Sequence, residues 1–203
     1  MWRRFTRVIP VLIAVVLLPS LTSGSALAQT RIDPARFALP SSFFPPGSHV
    51  VRAGVETNGL LKRDEAGHFG VPAAALGRLT GYYMDAVEGD QAAAIRTYTS
   101  YLLSIFRTIP QAQAAFDFRW DTWFSQTYYT NPQPLPVSVG DNGSGVLFHT
   151  LDPSQPPLSE LMFRRGTILV EVFQGTGAGL VTAAETHALY RIARKLDALA
   201  RQR

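Results

Sequence analysis

Leu79-Thr-Gly-Tyr-Tyr-Met-Asp-Ala-Val87 and Ile95-Arg-Thr-Tyr-Thr-Ser-Tyr-Leu-Leu-Ser-Ile-Phe106 are the stretches whose reading decides the fold. Both are rich in Tyr, Thr and β-branched residues, side chains that suit a pleated, half-buried surface. Glu88-Gly89-Asp90 between them is turn chemistry, so the pair reads as two antiparallel strands. In the second, Ile95, Thr97, Thr99, Tyr101, Leu103 and Ile105 share one face, because side chains alternate along a strand. The period then changes. Thr108 and Gln111 make a capping box with Pro110 in the tolerated first turn. Ile109, Ala112, Phe116, Trp120 and Trp123 follow at helical spacing.

The second half repeats this plan. Val137 to Val139 and Val146 to Leu151 read as strands around Asp141-Asn142-Gly143, a strong turn signal. Leu158 to Arg164 and Thr167 to Phe173 read as a hairpin across Arg165-Gly166. Thr182 and Glu185 form a second capping box, and Leu189, Ile192, Leu196 and Leu199 give the last helix an apolar stripe. Each half thus runs through an aromatic-ended strand (Phe106, Phe173) into a capped helix, a pattern that admits a duplicated βββα unit. The expected fold class is α+β, an antiparallel sheet with two helices packed on it. They would cover one face in a two-layer arrangement, or take the two sides of an α/β/α sandwich.

Upstream, Ser48 to Glu56 has weak β character. Gln29 to Gly47 carries Pro34, Pro40, Pro45 and Pro46 and reads as a tether, with Phe37, Phe43 and Phe44 able to pack on the domain surface. The leading residues are of another kind. Arg3, Arg4 and Arg7 precede the apolar run Val8 to Leu18, and Ala26-Leu27-Ala28 suits signal peptidase, which marks a secretory signal. Val8 to Leu18 is short for a bilayer span, which takes about 20 apolar residues. The expected organisation is a signal peptide over 1–28, a Pro-rich tether over 29–47 and a single α+β domain over 48–203, secreted or periplasmic.

Without the signal, 203 − 28 = 175 residues remain, enough to bury about 70% of the unfolded surface without a metal or disulfide staple. Three of the nineteen basic residues leave with it and all fifteen acidic ones stay, so the mature net charge is 16 − 15 = +1. A nucleic-acid footprint would need Lys and Arg clustered along one face, and none is expected. Arg191, Arg194, Lys195, Arg201 and Arg203 form the one dense basic stretch. It reads as the solvated C-terminal part of a helix, with an anionic lipid or wall polymer as the other interpretation. The absence of Cys excludes a disulfide scaffold, a thiol nucleophile and a Cys-anchored lipoprotein.

Motifs with a chemical meaning are incomplete throughout. Gly175-Thr-Gly177-Ala-Gly179 resembles a dinucleotide loop, but Leu180 stands where the third glycine belongs and only one helix follows. His49, His68, His149 and His187 have no metal-ligand spacing. Asp117 and Asp121 are helix-surface neighbours that an exposed polar face explains. Asp141-Asn142-Gly143-Ser144 lacks the calcium-loop run, and Ser144 lacks the glycine two residues earlier that a nucleophile elbow needs. No catalytic residue, cofactor or metal ligand is nominated. The reading leans to a non-enzyme, with an extracytoplasmic hydrolase of unrecognised motif as the alternative.

Aromatic side chains offer the best candidate site. Phe116, Trp120, Trp123, Phe124, Tyr128 and Tyr129 crowd the first helix and its exit, and Phe118 points away from the apolar stripe, so they do not all face one core. Either they pack beneath the proline-rich segments, or those six residues line a pocket for an apolar chain or a sugar.

Val139-Gly140-Asp141, then Met162-Phe163-Arg164-Arg165-Gly166-Thr167-Ile168-Leu169-Val170, then Ala183 to Leu196, resembles the C-terminal part of small exported bacterial α+β domains of the PsbP/LpqN type. These include extracellular sensor domains of some bacterial kinases, and in them an FR-x-G hairpin leads through an aliphatic strand to a final helix. The resemblance spans roughly sixty residues of a pattern that recurs in many folds. It departs at Thr167, where Asn is usual, and in lacking a lipid-anchor Cys. It implies a sandwich fold and an accessory or binding role, and transfers no catalytic residue. The expected function is an exported, non-enzymatic accessory domain that binds an apolar or envelope-derived ligand or a partner protein. It has no transmembrane span after signal cleavage. A structural envelope protein is the remaining alternative.

Overall fold

The computed structural model describes residues 32–59, 73–89, 97–124, 129–150, 158–176 and 183–202, so the expected signal peptide lies outside the described residues. In chain order the elements are β1 (Ser48–Glu56), β2 (Arg78–Glu88), β3 (Thr97–Phe106), α1 (Ile109–Phe124), β4 (Tyr129–Pro134), β5 (Asn142–Thr150), β6 (Leu158–Arg165), β7 (Ile168–Thr176) and α2 (Ala183–Arg201). Seven strands form one sheet in the order β1-β2-β3-β7-β6-β5-β4, and every neighbouring pair is antiparallel. The fold is α+β, as the sequence predicts. Among the described residues no helix is long and apolar enough to cross a membrane.

Alternation along the central strands assigns each helix to a face. Leu103, Ile105, Leu161, Phe163, Ile168, Val170 and Val172 join Leu189, Ile192, Ala193 and Leu196 of α2 in one core. Their neighbours in sequence, Phe106, Met162 and Leu169, point the other way and join Ala112, Ala115 and Phe116 of α1. The helices therefore lie on opposite faces, and of the two expected arrangements the protein adopts the α/β/α one. β1–β2–β3 leading into α1 and β5–β6–β7 leading into α2 are two three-stranded meanders about the central β3–β7 pair, with β4 added at the outer edge of β5. A two-fold axis normal to the sheet would relate the strands but would place both helices on one face. Leu189, Ile192 and Leu196 are wholly buried, and each contributes about 1.5–3 kcal/mol relative to exposure.

Helix α1 starts where its capping box does. Gln111 N–H donates to Thr108 Oγ1 at 3.3 Å, and Thr108 N–H donates to Gln111 Oε1 at 3.1 Å. The buried stripe is turned from the expected one: Ile109 is exposed, and Ala112, Ala115, Phe116 and Arg119 face the sheet. The second capping box, at Thr182 and Glu185, lies outside the described residues.

Two β assignments change. Val137 to Val139 is not a strand; β4 precedes it, and the turn expected at Asp141-Asn142-Gly143 falls earlier, with β5 beginning at Asn142. Strand β4 contains Pro132 and Pro134, which a sheet tolerates only at its edge, and β4 is the edge strand, with an irregular register between Thr130 and Gln133. The glycines of β5 serve close approach: a Cβ on Gly143 would lie 2.6 Å from Val137 Cγ1, and one on Gly145 would lie 2.9 Å from Val137 Cγ2.

The segment expected as a tether contributes to the α2-side core through Phe37, Leu39 and Phe44. Tyr101 on β3 donates its hydroxyl to Phe37 O at 2.7 Å and accepts from Leu39 N–H at 3.2 Å. Arg36 donates to the carbonyls of Leu199 and Gln202, which satisfies the C-terminal end of α2. Arg191, read as part of a solvated basic face, donates to the carbonyls of Phe43 and Phe44.

The residues that carry the family resemblance build a latch. Asp141 accepts Gly166 N–H at 2.7 Å and Arg164 Nη1 at 3.1 Å, and it also pairs with Arg165. Adjacent strand residues point to opposite faces, so the two arginines reach different helices. Arg164 donates from Nε to Gln113 of α1 at 2.8 Å, whereas Arg165 makes a bidentate pair with Asp197 of α2 at 2.7 and 3.1 Å. One carboxylate thus ties both helices to the β6–β7 hairpin.

Candidate functional site

On the α1 side of the sheet, register brings charged groups into an apolar layer. Glu160 of β6 stands opposite Phe173 of β7, and Glu171 of β7 stands opposite Met162 of β6, so the two carboxyls are diagonal neighbours on one face. Both are 1% exposed. Arg119 comes down from α1, 8% exposed, and its Nε lies 3.3 Å from Glu171 Oε2. Phe116, Trp120, Phe148, Leu158 and Phe173 pack in the same layer. Nearby on this face, Arg78 lies along β2 over Gly81, bonded to Glu56 Oε2 and Ser104 Oγ, both at 2.8 Å. A Cβ on Gly81 would sit 2.2 Å from that guanidinium, so the glycine makes room for the buried pair.

Burial pushes Glu160 well above the usual carboxylate range, and the Glu171 charge pushes it further, against a smaller pull from Arg119. Burial also raises Glu171, with Arg119 and Arg78 opposing. The assignment that avoids an uncompensated buried charge pairs ionised Glu171 with Arg119 and leaves Glu160 protonated. Among the described residues, Glu160 Oε1 has no hydrogen-bond partner. A neutral carboxyl beside aromatic rings can donate one hydrogen bond and accept another, which is the makeup of a mostly apolar binding site with few polar groups.

Among the six aromatic candidates, the structure brings Phe116 and Trp120 into this layer, Phe116 at 5% exposure and Trp120 half-buried. The side chains of Trp123, Phe124, Tyr128 and Tyr129 lie outside the described residues. Asp117 and Asp121 are exposed, as an ordinary polar face requires, and Asp117 accepts from Gln113 Nε2 at 2.8 Å. His49 and His187 are exposed, whereas His68 and the His149 side chain lie outside the described residues. Among the described residues no three His, Cys, Asp or Glu side chains gather as metal ligands.

Glu160, Glu171 and Arg119 are the residues that sequence reasoning passed over. A signal was present: a single acid inside each of two otherwise apolar strands, Leu158-Ser-Glu160-Leu-Met-Phe163 and Ile168-Leu-Val-Glu171-Val-Phe173. Arg119 lies seven residues after Ala112, on the same helical stripe.

Fold and site together define an α+β domain with one helix on each face of a seven-stranded antiparallel sheet and a charged group buried under the first helix. No protein-family model and no curated protein matches the chain. Among solved structures it is similar to the extracellular domain of PknH from Mycobacterium tuberculosis, with a TM-score of 0.58 and 12% identity over 82% of this chain and 97% of that one. It is also similar to an uncharacterized protein from Mycobacterium smegmatis, at a TM-score of 0.44 and 11% identity over 83% of this chain and 97% of that one. The first likeness is one of fold. It supports the resemblance to kinase extracellular sensor domains and not that to PsbP/LpqN.

Proposed function

We propose that this chain is an exported, non-enzymatic accessory domain that holds an apolar or envelope-derived ligand against the α1 layer. The observation that carries the reading is the Glu160 carboxyl, buried beside half-buried Phe173 in the layer that contains Trp120, with one oxygen unpartnered among the described residues. The ligand's apolar body contacts the rings and a hydrogen-bonding head meets Glu160. Trp123, Phe124, Tyr128 and Tyr129 extend the aromatic surface in this reading. The fold shared with a kinase extracellular domain fits an extracytoplasmic role, and residues 1–28 are the proposed signal peptide.

Native mass spectrometry of protein taken from its own host's extracytoplasmic fraction tests this. The expected result is a mature chain beginning at Gln29 with an excess mass that denaturation releases and that Trp120→Ala weakens. A bare mass in both wild type and variant rejects the ligand, and an N-terminus at Met1 rejects the export.

A further inference from the structure

The outer side of α2 carries charge of one sign. At about 100° per residue, His187, Arg191, Arg194, Lys195, Ala198 and Arg201 fall within an arc of about 120°. Lys195 is half-buried and the other five are exposed. From Thr186 to Gln202 the helix has one acid, Asp197, and it is turned inward, its side chain 4% exposed. The segment packed along this side of α2 continues the pattern, with no acidic residue between Asp33 and Glu56. Arg191 donates to the carbonyls of Phe43 and Phe44, and Lys195 Nζ lies 5.9 Å from the centre of the Phe43 ring. Arg36 donates to the carbonyls of Leu199 and Gln202. These partners are neutral, so they fix the side chains without cancelling their charge. Among the described residues no carboxylate lies within ion-pair distance of Arg36, Arg191, Arg194 or Lys195. Asp33 is exposed and caps its own turn through Ala35 N–H. At about 1.5 Å per residue, the stretch from Arg191 to Gln202 is about 17 Å long. An expected mature chain of net charge 16 − 15 = +1 thus gathers four uncompensated cations on one side.

We infer that this side of α2 docks on the surface of a bilayer that contains anionic phospholipid. The apolar side chains decide the occupant. A protein partner is held by buried aromatic or aliphatic anchors, and an inserting amphipathic helix needs a face of Trp, Phe or Leu. Among the described residues of this arc, α2 exposes no apolar side chain larger than that of Ala198. A flexible polyanion is tracked by a groove, whereas α2 is a convex helix on the outside of the sheet. A convex, fixed array of cations with nothing to insert suits the diffuse negative potential of lipid headgroups. The proposed export would set the protein beside such a membrane, and the docking itself is a property of the folded surface.

Sedimentation with vesicles tests this on purified protein, its N-terminus read by mass spectrometry so that export is judged separately. Phosphatidylcholine vesicles with about 30% phosphatidylglycerol bind it at low salt, and pure phosphatidylcholine vesicles do not. Raising the salt from about 20 mM to about 300 mM shortens the screening length from about 20 Å to about 6 Å and releases the protein. Arg194→Gln and Lys195→Gln each weaken binding about fivefold, and together about twentyfold. Arg52→Gln removes the same charge from β1 on the α1 side of the sheet, and weakens it less than about twofold. Unchanged melting temperatures, expected of these outward side chains, keep the variants comparable. Equal binding to neutral vesicles, or equal losses from Arg194→Gln and Arg52→Gln, overturns the inference. So does protein left in the supernatant with anionic vesicles at low salt. Retention on immobilised polyphosphate would then reassign the surface to an anionic polymer. Trp120→Ala leaves sedimentation unchanged, so this outcome and that of the α1 layer are read separately.

Discussion

Replacing Arg165 with Met removes one half of the latch while keeping an unbranched apolar stem of similar reach. Its carboxylate partner Asp197 has a side chain only 4% exposed, and that of Arg165 is 21% exposed. Breaking a buried pair leaves an uncompensated charge and costs about 3–5 kcal/mol. Arg201 still pairs with Asp197 at 2.7 Å but is 61% exposed, which places the loss at the lower end, about 3 kcal/mol. The bond to Asp141, itself 36% exposed, adds about 0–1 kcal/mol. For a domain of this size about 3 kcal/mol corresponds to a melting temperature lower by about 6–12 °C. Urea unfolding followed by circular dichroism measures the loss, with an unchanged m-value showing that the unfolded state is unaltered. Arg165→Met with Asp197→Leu loses less than Arg165→Met alone, because the stranded charge is gone. A loss under about 1 kcal/mol would mean that the pair behaves as an ordinary surface salt bridge, and the latch reasoning fails. The pH dependence gives a second check. Gly166 N–H and both arginines hold Asp141 below the usual carboxylate range; burial works to raise Asp197, but hydrogen bonds from Arg165 and Arg201 outweigh it and lower it too. A carboxylate held down in the folded state contributes stability that is complete above its unfolded value, about 3.9, and is lost as pH falls through the folded value. Wild type therefore loses this stabilisation below about pH 4, and Arg165→Met loses less of it.

Glu160 has the opposite sign. A carboxyl held protonated in the fold contributes stability below its unfolded value, about 4.3, that is lost as pH rises toward the folded value. Glu160→Gln, which keeps the shape and removes the titration, is expected to flatten this decline and to equal or exceed wild-type stability at neutral pH; a variant that is less stable there, with the slope unchanged, refutes the protonated assignment. Phe37→Ala tests whether the N-terminal segment belongs to the fold. The ring is wholly buried, so a loss of about 3–5 kcal/mol is expected in urea unfolding, whereas a flexible tether would show less than about 0.5 kcal/mol.

Much of the fold was legible because periodicity survives wherever packing is one-sided. Strands β2, β3, β6 and β7 and both helices lie close to where alternation and capping put them. The Thr108–Gln111 cap was readable because it depends on four consecutive residues and nothing distant. Strand β4 was hidden by its prolines, since edge position is a property of the whole sheet and not of the segment. The latch was half legible: the run around Arg164 and Arg165 resembled a known hairpin, but Gln113 and Asp197 are far away in sequence.

The placement of the helices and the buried acids come from one feature that alternation arguments undervalue. Leu161-Met162-Phe163 and Ile168-Leu169-Val170 are continuous apolar runs, and all six residues are buried at 2% exposure or less. A strand apolar at consecutive positions must be covered on both faces. With two helices available, one on each face follows, and a single-sided two-layer arrangement would leave Met162 and Leu169 in water. The same logic turns a Glu inside such a run from a surface residue into a buried one. Glu160 and Glu171 share a face with Met162 and Leu169, beneath α1, and Ser159 and Gln174 share the other with Leu161, Phe163 and Val170. Polar side chains in a doubly covered strand have no route to solvent, so each must find a partner within the fold or in a bound molecule. Arg119 supplies such a partner for Glu171 on the α1 side, whereas Glu160 Oε1 on that side and the Thr99, Ser159 and Gln174 side-chain polar atoms on the other have no hydrogen-bond partner among the described residues.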